Sequence, residues 1–481
     1  MPTLDDDVTL STGNSSPVVI DIDALAVRTL VSESSLTVRG QGHLVVTDDI
    51  QFRGDVTLLV DGNDALLTAT RNANIDGTSL VAKNGGKLLL NGLKSYSQGD
   101  VAKRAQISAS GNGSIIDLSS VLDVVGTSRD LTSLVIEADA GGYIDLGQLR
   151  RASIPNDRDN RRNGIQFIAT GPGSQIDLSV FNDFVDDSIF GGPDSTLEVH
   201  DGGEVRAPGI TRLKNIGIVI AGADSILPIQ QYTEIIDGSI RIAGTGNART
   251  FHNVTSIDNS NVTATDGATL RLPKVSKYTR GVSSTTTYTP ELSAVGAGSF
   301  LDTSSLVQLI SPPLGLTTTR IRAEDGGAVD LTRLLSAVIP DGGNSQNGIQ
   351  FIANGPSSLI DLSALGEFLD GSALGLPGSS LEVRNGGEVR APGVVKLKNI
   401  GIVIEGADSI LPIQQYTEVI DGSIRISGAG NVRSFENITS INNSSVNASG
   451  GATLRLPQVR EYVRGSNSIS TYVPELSATG S

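Results

Sequence analysis

Apolar and polar residues alternate in short stretches along the whole chain, and turns rich in glycine, aspartate or asparagine separate these stretches. The segments LVIEADAGGYIDL, which starts at Leu134, and LEVHDGGEVRAP, which starts at Leu197, are typical. A period of two residues predicts β-strands, and Gly-Gly, Asp-Gly and Asn-Gly pairs predict the turns between them. No segment of 10 residues or more has a helical period. The pattern therefore predicts an all-β protein.

The strand–turn–strand segments recur at a nearly even spacing. The residue after the second apolar position of each segment falls at 117, 145, 177, 206, 227, 250, 271 and 302, so the steps are 21 to 32 residues long. A two-residue turn ordinarily closes a hairpin, whereas even steps of this length match the coils of a β-solenoid. Many segments also continue into a third stretch, such as Leu118–Leu122. We predict a right-handed parallel β-helix of about 17 coils, with apolar residues stacked inside.

A longer repeat is superimposed on these coils. The stretch Asn163–Val295 returns at Asn347–Thr479 with a constant offset of 184 positions. A more divergent third version, LVAKNGGKLLLNGLKSY, begins at Leu80. We therefore divide one continuous solenoid into N-terminal coils, a first repeat and a second repeat, over residues 1–105, 106–290 and 291–481.

Composition and charge exclude several classes of function. The 481 residues carry a net charge of −16, include no cysteine and are 4% aromatic. An acidic chain without clustered lysine and arginine is unsuited to binding nucleic acid. No run of 18 apolar residues occurs, so we expect no membrane insertion. The acidic start, MPTLDDDVTL, is unlike a signal peptide, and we expect any export signal to lie outside this sequence.

The histidines and the paired acids are the candidate catalytic residues. The histidines are His43, His200 and His252, and no HExxH, GxSxG or Walker A pattern is present. Paired carboxylates on a solenoid face are able to cleave sugars. The acids that recur in both repeats are Glu204 and Glu388, Asp177 and Asp361, Asp224 and Asp408, and Glu234 and Glu418. Because an enzyme needs one cleft and these positions are duplicated, we interpret them as structural and expect neither catalytic residues nor enzyme activity.

One acidic cluster is a candidate calcium site. Asp183, Asp186 and Asp187 lie close together in the sequence, and calcium prefers such oxygen-rich segments. The second repeat has Glu367, Asp370 and Gly371 at the corresponding positions. We expect no other cofactor.

Three loops follow the same coil in the three versions of the repeat. They are Tyr96–Ala105, Tyr278–Pro290 and Tyr462–Pro474. Loops on one side of a solenoid usually form its binding surface. The final residues, PELSATGS, match PELSAVGAGS at the start of the next cycle. We therefore expect either that the chain continues as part of a longer protein or that other subunits cover its ends.

The recurring GG-x-IDLS and GGATLRLP lines resemble the β-strand-repeat regions of very large secreted bacterial proteins. These include filamentous-haemagglutinin-like adhesins and autotransporter passengers. The resemblance extends over nearly the whole chain and rests on coil pattern and composition. It implies a parallel β-helix stalk, export to the cell surface, and adhesive or scaffolding work.

Our first hypothesis is a non-enzymatic extracellular protein that acts as a rigid stalk or fibre-forming segment and displays repeated loops. Its partners are expected to be surface glycans or proteins, or further copies of the chain joined end to end. The alternative is a polysaccharide lyase or hydrolase on the same scaffold, which predicts several acids in a single cleft. A trimeric phage tailspike is a third hypothesis, but the chain has no distinct C-terminal intertwining region.

Overall fold

The computed structural model describes residues 2–11, 16–99, 105–127, 132–155, 163–187, 193–281, 289–313, 318–342, 347–372, 378–464 and 474–480. The chain divides into two compact units, Met1–Tyr232 and Thr233–Ser481. The described residues form β-strands and no helix, and they include no helix that is able to cross a membrane. The boundaries at residues 105 and 290 follow the repeats in the sequence, not the two compact units, and they stay a prediction.

The first unit contains 26 strands over its described residues. In chain order they are β1 Asp7–Leu10, β2 Val18–Ile20, β3 Leu25–Val27, β4 Thr29–Ser32, β5 Leu36–Arg39, β6 His43–Val46, β7 Ile50–Phe52, β8 Thr57–Asp61, β9 Leu66–Ala69, β10 Ala73–Asn74, β11 Ser79–Lys83, β12 Lys87–Leu89, β13 Ser95–Ser97, β14 Gln106–Ser110, β15 Ile115–Asp117, β16 Asp123–Val125, β17 Leu134–Asp139, β18 Tyr143–Asp145, β19 Arg151–Ile154, β20 Ile165–Thr170, β21 Gln175–Asp177, β22 Asp183–Asp186, β23 Ser195–His200, β24 Glu204–Arg206, β25 Arg212–Lys214 and β26 Ile216–Ala221.

The second unit contains 25 strands over its described residues. They are β27 Glu234–Ile236, β28 Ser239–Ala243, β29 Ala248–Thr250, β30 Asn261–Thr265, β31 Thr269–Arg271, β32 Lys277–Thr279, β33 Glu291–Val295, β34 Phe300–Asp302, β35 Gln308–Ile310, β36 Thr318–Glu324, β37 Ala328–Asp330, β38 Ser336–Ile339, β39 Gly348–Asn354, β40 Leu359–Asp361, β41 Glu367–Asp370, β42 Ser379–Arg384, β43 Glu388–Arg390, β44 Lys396–Lys398, β45 Ile400–Glu405, β46 Glu418–Ile420, β47 Ser423–Ser427, β48 Val432–Ser434, β49 Ser445–Ser449, β50 Thr453–Arg455 and β51 Leu476–Thr479.

Each complete coil contributes one strand to each of three faces, which we call A, B and C in chain order. In the first unit, face A consists of β2, β5, β8, β11, β14, β17, β20, β23 and β26, and β14 is followed by β15 on face B and β16 on face C. In the second unit, face A consists of β28, β30, β33, β36, β39, β42, β45, β47, β49 and β51. Neighbouring coils pair in parallel and in register, for example Leu80 with Ile107. The prediction of a parallel β-solenoid is confirmed.

Because each coil contributes one strand to face A, the nine strands in the first unit and the ten in the second count the coils. The spacing of turns and strands in the sequence predicts about 17 coils. The apolar pattern becomes regular only near residue 45, so it omits the coil that begins with β2. One coil also slips by a residue. The spacing of the segments predicts that Leu227 occupies the same outward position as Arg206. In the structure Leu227 is buried, and Ile226 is 52% exposed instead. Pro228 lacks an N–H to extend the ladder, and only a single bridge, from Glu204 to Ile226, forms here.

Columns of equivalent apolar residues form the core. On face A of the first unit, Leu36, Leu58 and Leu80 occupy the same inward position on successive coils, and none is exposed to solvent. Each such side chain contributes about 1.5–3 kcal/mol by burial. Because the pairing is in register, an apolar residue at one position requires apolar neighbours at the same position one coil above and below. The two-residue alternation in the sequence is the linear record of this stacking.

The turn from face A to face B explains why the sequence resembles that of hairpins. Asp201 and Gly202 both have positive φ, at 50° and 91°, as in a tight hairpin turn. The next residue, Gly203, has no room for a side chain, since a Cβ there would lie 2.2 Å from the carbonyl oxygen of Ala169. In this protein the turn bends the chain between two faces, and each strand pairs with neighbouring coils instead of with its own successor.

The repeat supplies a matched pair of core residues for testing the packing. Leu270 and Leu454 occupy the same place in identical GATLRLP segments, but Leu270 is fully buried whereas Leu454 is half-buried. Leu270 is covered by β34, in register with Leu301, and no described strand follows Leu454 on face B. We predict that L270A destabilises the chain by about 2–5 kcal/mol and that L454A costs clearly less, because less apolar contact is lost.

Denaturant unfolding of the 481-residue chain, followed by circular dichroism, measures the two effects. Hydrogen exchange in each segment reports local opening, which matters because solenoids unfold in parts. Equal destabilisation by the two substitutions would contradict the different burial of the two sites.

Candidate functional site at the variable corner

Coils differ in length mainly at the connection from face C to the next face A, which we call the variable corner. From β12 onward, the connection from face B to face C keeps a constant length: β15 and β16, β18 and β19, and β21 and β22 are each separated by five residues, whereas the first three coils have one to three residues there. At the variable corner, Asn215 alone joins β25 to β26, whereas ten residues separate β19 from β20. In the second unit, Asn399 alone joins β44 to β45, and eleven residues separate β32 from β33. Insertions are therefore concentrated at one corner of the coil.

Parts of the long connections lie outside the described residues. These parts are 100–104, 128–131, 156–162 and 188–192 in the first unit, and 282–288, 314–317, 343–346 and 373–377 in the second. Two of the predicted loops, Tyr96–Ala105 and Tyr278–Pro290, begin on face C strands at the variable corner. The third, Tyr462–Pro474, follows β50, and its residues 465–473 are likewise outside the described part.

A buried tyrosine anchors the start of the first two loops. Tyr96 and Tyr278 are fully buried. The Tyr96 hydroxyl donates a hydrogen bond to the carbonyl oxygen of Thr78 at 2.9 Å, and Tyr278 donates to Ser260 at 3.3 Å. Burial raises the pKa of Tyr96 above its ordinary value of 10, so the phenol stays neutral and keeps its donor. Each loop thus leaves from a point that is fixed to the preceding coil.

Short coils close the variable corner with a residue in the left-handed backbone conformation. Asp237 and Asn259 have φ of 54° and 53°, and their counterparts Asp421 and Asn443 have φ of 54° and 51°. Aspartate and asparagine tolerate this conformation better than other side chains. The Asn259 amide donates to the Asp237 carboxylate at 2.8 Å, and Asn443 donates to Asp421 at 2.7 Å. An amide–carboxylate ladder therefore links neighbouring coils at this corner.

The predicted calcium ligands do not converge on one point. Asp183 is exposed and pairs with Arg151, with 3.3 Å between Nε and Oδ2. Asp186 is 4% exposed, and its carboxylate accepts a hydrogen bond from the Asn215 amide at 3.2 Å. Asp187 is exposed. The described part of the chain has no group of three or more histidine, aspartate or glutamate side chains that is able to hold a metal. Calcium binding stays a prediction.

The second repeat keeps the same buried carboxylate. Asp370 is 3% exposed, and its carboxylate accepts hydrogen bonds from the Ser372 N–H at 2.9 Å and from the Asn399 amide at 3.2 Å. The Asn399 amide also donates to the carbonyl oxygen and the hydroxyl of Ser372, each at 2.9 Å. This network closes the corner between β41 and β45. The buried acid therefore has a structural role.

Beside the variable corner, the outward side of face A carries ion pairs that the sequence analysis missed. On β23, the Thr196 hydroxyl donates to Glu198 at 2.6 Å, and the His200 ring lies 3.1 Å from the same carboxylate. The second repeat keeps the arrangement with other residues. There the Ser380 hydroxyl donates to Glu382 at 2.6 Å, and Arg384 pairs with Glu382 at 2.8 Å. The shared pattern of hydroxyl, glutamate and base at alternate positions is visible in both repeats.

A second group of ion pairs lies on β33 and β36. Arg322 pairs with Glu291 at 3.0 Å and also with Glu324. Hydrogen bonds to these carboxylates raise the pKa of the arginine. These ion pairs tie neighbouring strands together, as the first hypothesis requires. Because both glutamates are paired with Arg322, neither is free to act as a general acid or base.

The duplicated acids mostly serve turns and ion pairs. Glu204 pairs with Arg206 at 2.6 Å, and Glu388 pairs with Arg390 at the same distance. Asp177 and Asp361 each accept a hydrogen bond from a backbone N–H two residues ahead, at 2.9 and 3.0 Å. Glu418 pairs with Lys396 at 3.1 Å, and Asp224 and Asp408 are exposed.

Three of the turn aspartates form a column at the end of face B. Asp117, Asp145 and Asp177 lie in register on successive coils. Asp145 accepts a hydrogen bond from the Gly147 N–H at 2.9 Å. Partial burial, followed by the negative charges of the two neighbouring aspartates, raises the pKa of Asp145 above its ordinary value of 3.8. The turn thus carries an electrostatic cost at neutral pH.

No protein family, no curated protein sequence and no solved structure matches this chain.

We predict that replacing Asn399 separates the backbone and hydrogen-bonding roles of the corner. N399G keeps the left-handed conformation, whose φ is 58°, and loses the three donated hydrogen bonds, at a cost of about 1–3 kcal/mol. N399A also places a Cβ in that conformation and costs about 1 kcal/mol more. Denaturant unfolding of both variants measures the difference. Equal stability of the two would mean that the left-handed backbone carries no cost.

We predict that D145N stabilises the chain at neutral pH. The raised pKa means that the folded state binds this proton more tightly than the unfolded state, so stability falls as pH rises through the folded pKa. Asparagine removes the charge and still accepts the Gly147 hydrogen bond. The gain should be present at pH 7 and disappear below pH 3.8, where the aspartate is protonated in both states. Unfolding across this pH range measures it, with D224N at an exposed turn as control. A gain that is independent of pH would contradict the electrostatic origin.

Proposed function

We propose that the protein is a non-enzymatic extracellular structural or adhesive β-solenoid that displays a series of loops along one corner. The observation that carries the proposal is the concentration of the long insertions at the variable corner. From β12 onward the connections from face B to face C stay at five residues, while the connections at the variable corner range from one residue to eleven. A scaffold that keeps its coils and gathers its long insertions at one corner is suited to presenting segments to a partner.

The ladder sets the spacing of the displayed loops. Successive coils lie about 4.8 Å apart, so loops on neighbouring coils form a dense row. Such a row supports several weak contacts with a repetitive partner, and their combined strength exceeds that of any single contact. We propose surface glycans or surface proteins as these partners. The location outside the cell is proposed from the resemblance of the repeat lines to secreted bacterial proteins.

We also propose that further coils add to the end formed by the last described strands. A cavity of about 380 Å³ there is lined by core side chains that include Leu454, Leu456 and Leu476. Their counterparts Leu270, Leu272 and Leu292 are fully buried. The exposed core is able to accept a coil of another copy that is joined end to end.

The alternative, a polysaccharide lyase or hydrolase, requires free carboxylates that face one cleft. Three glutamates beside the variable corner pair with arginine: the half-buried Glu291 and Glu324 with Arg322, and the buried Glu382 with Arg384. This arrangement supports display over catalysis.

Trimming the loops tests the proposal. In the second unit, residues 371–378 between β41 and β42 are replaced by Asp-Gly, the connection that joins β46 to β47, and the three other long connections are shortened in the same way. The expected result is an unchanged circular dichroism spectrum and binding to arrayed glycans and extracellular proteins that is weaker by at least about tenfold.

S363A, at the constant corner from face B to face C, is the control and should bind like the unaltered chain. Binding that survives trimming would contradict display at this corner. Release of new reducing ends or unsaturated sugars from the arrayed glycans would favour the enzyme.

A further inference from the structure

The outward side of face C in the second unit exposes an apolar stripe. Ile310, Val338 and Leu369 lie in register on three successive coils. Leu369 is 43% exposed, and Leu335, at the start of the same face, is 55% exposed. Scattered apolar residues are normal on a surface, but a contiguous group marks an interaction site.

The stripe is a property of the second unit and not of every coil. In the first unit the corresponding column is Val125, Ser153 and Val185, where a serine interrupts the apolar side chains. Beside it, Arg151 and Asp183 are already paired with each other. The coil architecture alone therefore does not require an apolar column at this position.

Charged residues flank the stripe in a definite order. Lys277, Gln308, Ser336 and Glu367 form the neighbouring outward column on β32, β35, β38 and β41. Lys277 and Glu367 are exposed, and neither has an ion-pair partner among the described residues. The column beside the stripe thus has the unpaired cation Lys277 three coils from the unpaired anion Glu367.

The coils on either side extend this order. Asp258 lies one coil before Thr279, whose N–H donates to its carboxylate at 2.6 Å. Lys398 lies one coil after Leu369, because the Asn399 amide next to it donates to Asp370. Lys398 is exposed and Asp258 is half-buried. The column of the stripe, followed across six coils, therefore begins with Asp258 and ends with Lys398.

This pattern is complementary to itself. A two-fold axis parallel to the strands and midway between β35 and β38 reverses the order of the coils and keeps each column facing the same column. Ile310 then faces Val338 of a second molecule, and Lys277 faces its Glu367. At the outer coils, Asp258 faces Lys398 of the second molecule. Each of these four charged residues therefore faces a residue of opposite charge on the second molecule, and the apolar residues lie at the centre.

We propose that face C of the second unit is the contact surface for a second copy of this chain, which packs alongside it in the opposite direction. The six coils span about 24 Å at about 4.8 Å per coil. The arrangement has the apolar centre and charged rim of a protein interface, and it is isologous, so it closes as a dimer. This lateral pairing goes beyond the proposed loop display and is independent of end-to-end addition.

A charge-swap series on the full chain tests the proposal. Sedimentation equilibrium across a concentration series should show a monomer–dimer equilibrium. K277E places two glutamates opposite each other at both symmetry-related Lys277–Glu367 contacts, and E367K places two lysines there, so each should raise the dimer Kd by at least about tenfold. The double variant K277E/E367K restores opposite charges and should return the Kd to within about threefold of the original.

Two further variants complete the series. V338E introduces a charge at the apolar centre and should abolish the dimer. K214E, at the position in the first unit that corresponds to Lys398, is the matched control and should leave the Kd unchanged. A chain that stays monomeric at every concentration, or a dimer that ignores K277E or is not restored by the double variant, would overturn the proposal.

Discussion

Parallel pairing of each strand with its equivalent one coil away is the interaction on which the rest of this structure depends. Because the pairing is in register, as between Leu80 and Ile107, every inward position becomes a column of similar side chains. The backbone hydrogen bonds of faces A, B and C and the buried columns repeat with every coil. An insertion within a face would move all following apolar residues to the wrong side. The chain is therefore able to lengthen only between faces, and its longest insertions lie at the variable corner.

The variable corner combines two solutions to the same geometric problem. A short coil turns there with one or two residues, which forces a left-handed conformation, and asparagine or aspartate accepts it at Asn215, Asp237 and their counterparts. The amide–carboxylate ladder compensates for part of the strain. A long coil avoids the tight turn and instead anchors its connection with a buried residue, such as Tyr96 or Asp370. Both solutions preserve the pairing of the faces, so loops and tight turns coexist in one solenoid.

Much of this fold is predictable from the sequence because the pairing is periodic. The alternation at LVIEADAGGYIDL and the spacing of Asp117, Asp145 and Asp177 already contain the strand direction and register. The prediction failed where the period is interrupted, as at Leu227, since the effect of Pro228 on the ladder depends on the neighbouring coil. It also did not anticipate that Asp186 turns inward, because the acidic run NDFVDD gives no sign of which carboxylates face the interior.

The candidate site was harder to predict than the fold for a related reason. Many of its contacts join residues of neighbouring coils, such as Tyr96 with Thr78, 18 positions apart, and Asn399 with Asp370, 29 positions apart, and alternation within one strand does not reveal them. The apolar stripe on face C is similar: Ile310, Val338 and Leu369 belong to three segments and become neighbours only when the coils stack. The loops themselves are predictable from the sequence, since they interrupt the period. The single corner at which they lie is not.

The most direct test of the central claim uses the absence of cysteine from the chain. Thr37 and Leu59 are partners on neighbouring coils, and Val81 is the partner of Leu59 one coil further on. Paired strands lie about 4.8 Å apart, within the 4.4–6.8 Å range of Cα separations that a disulfide spans. Oxidation should therefore cross-link the T37C/L59C variant rapidly and leave T37C/V81C reduced. Rapid cross-linking of L59C/L66C, which would be opposite each other in a hairpin, together with no cross-link in T37C/L59C, would contradict the solenoid.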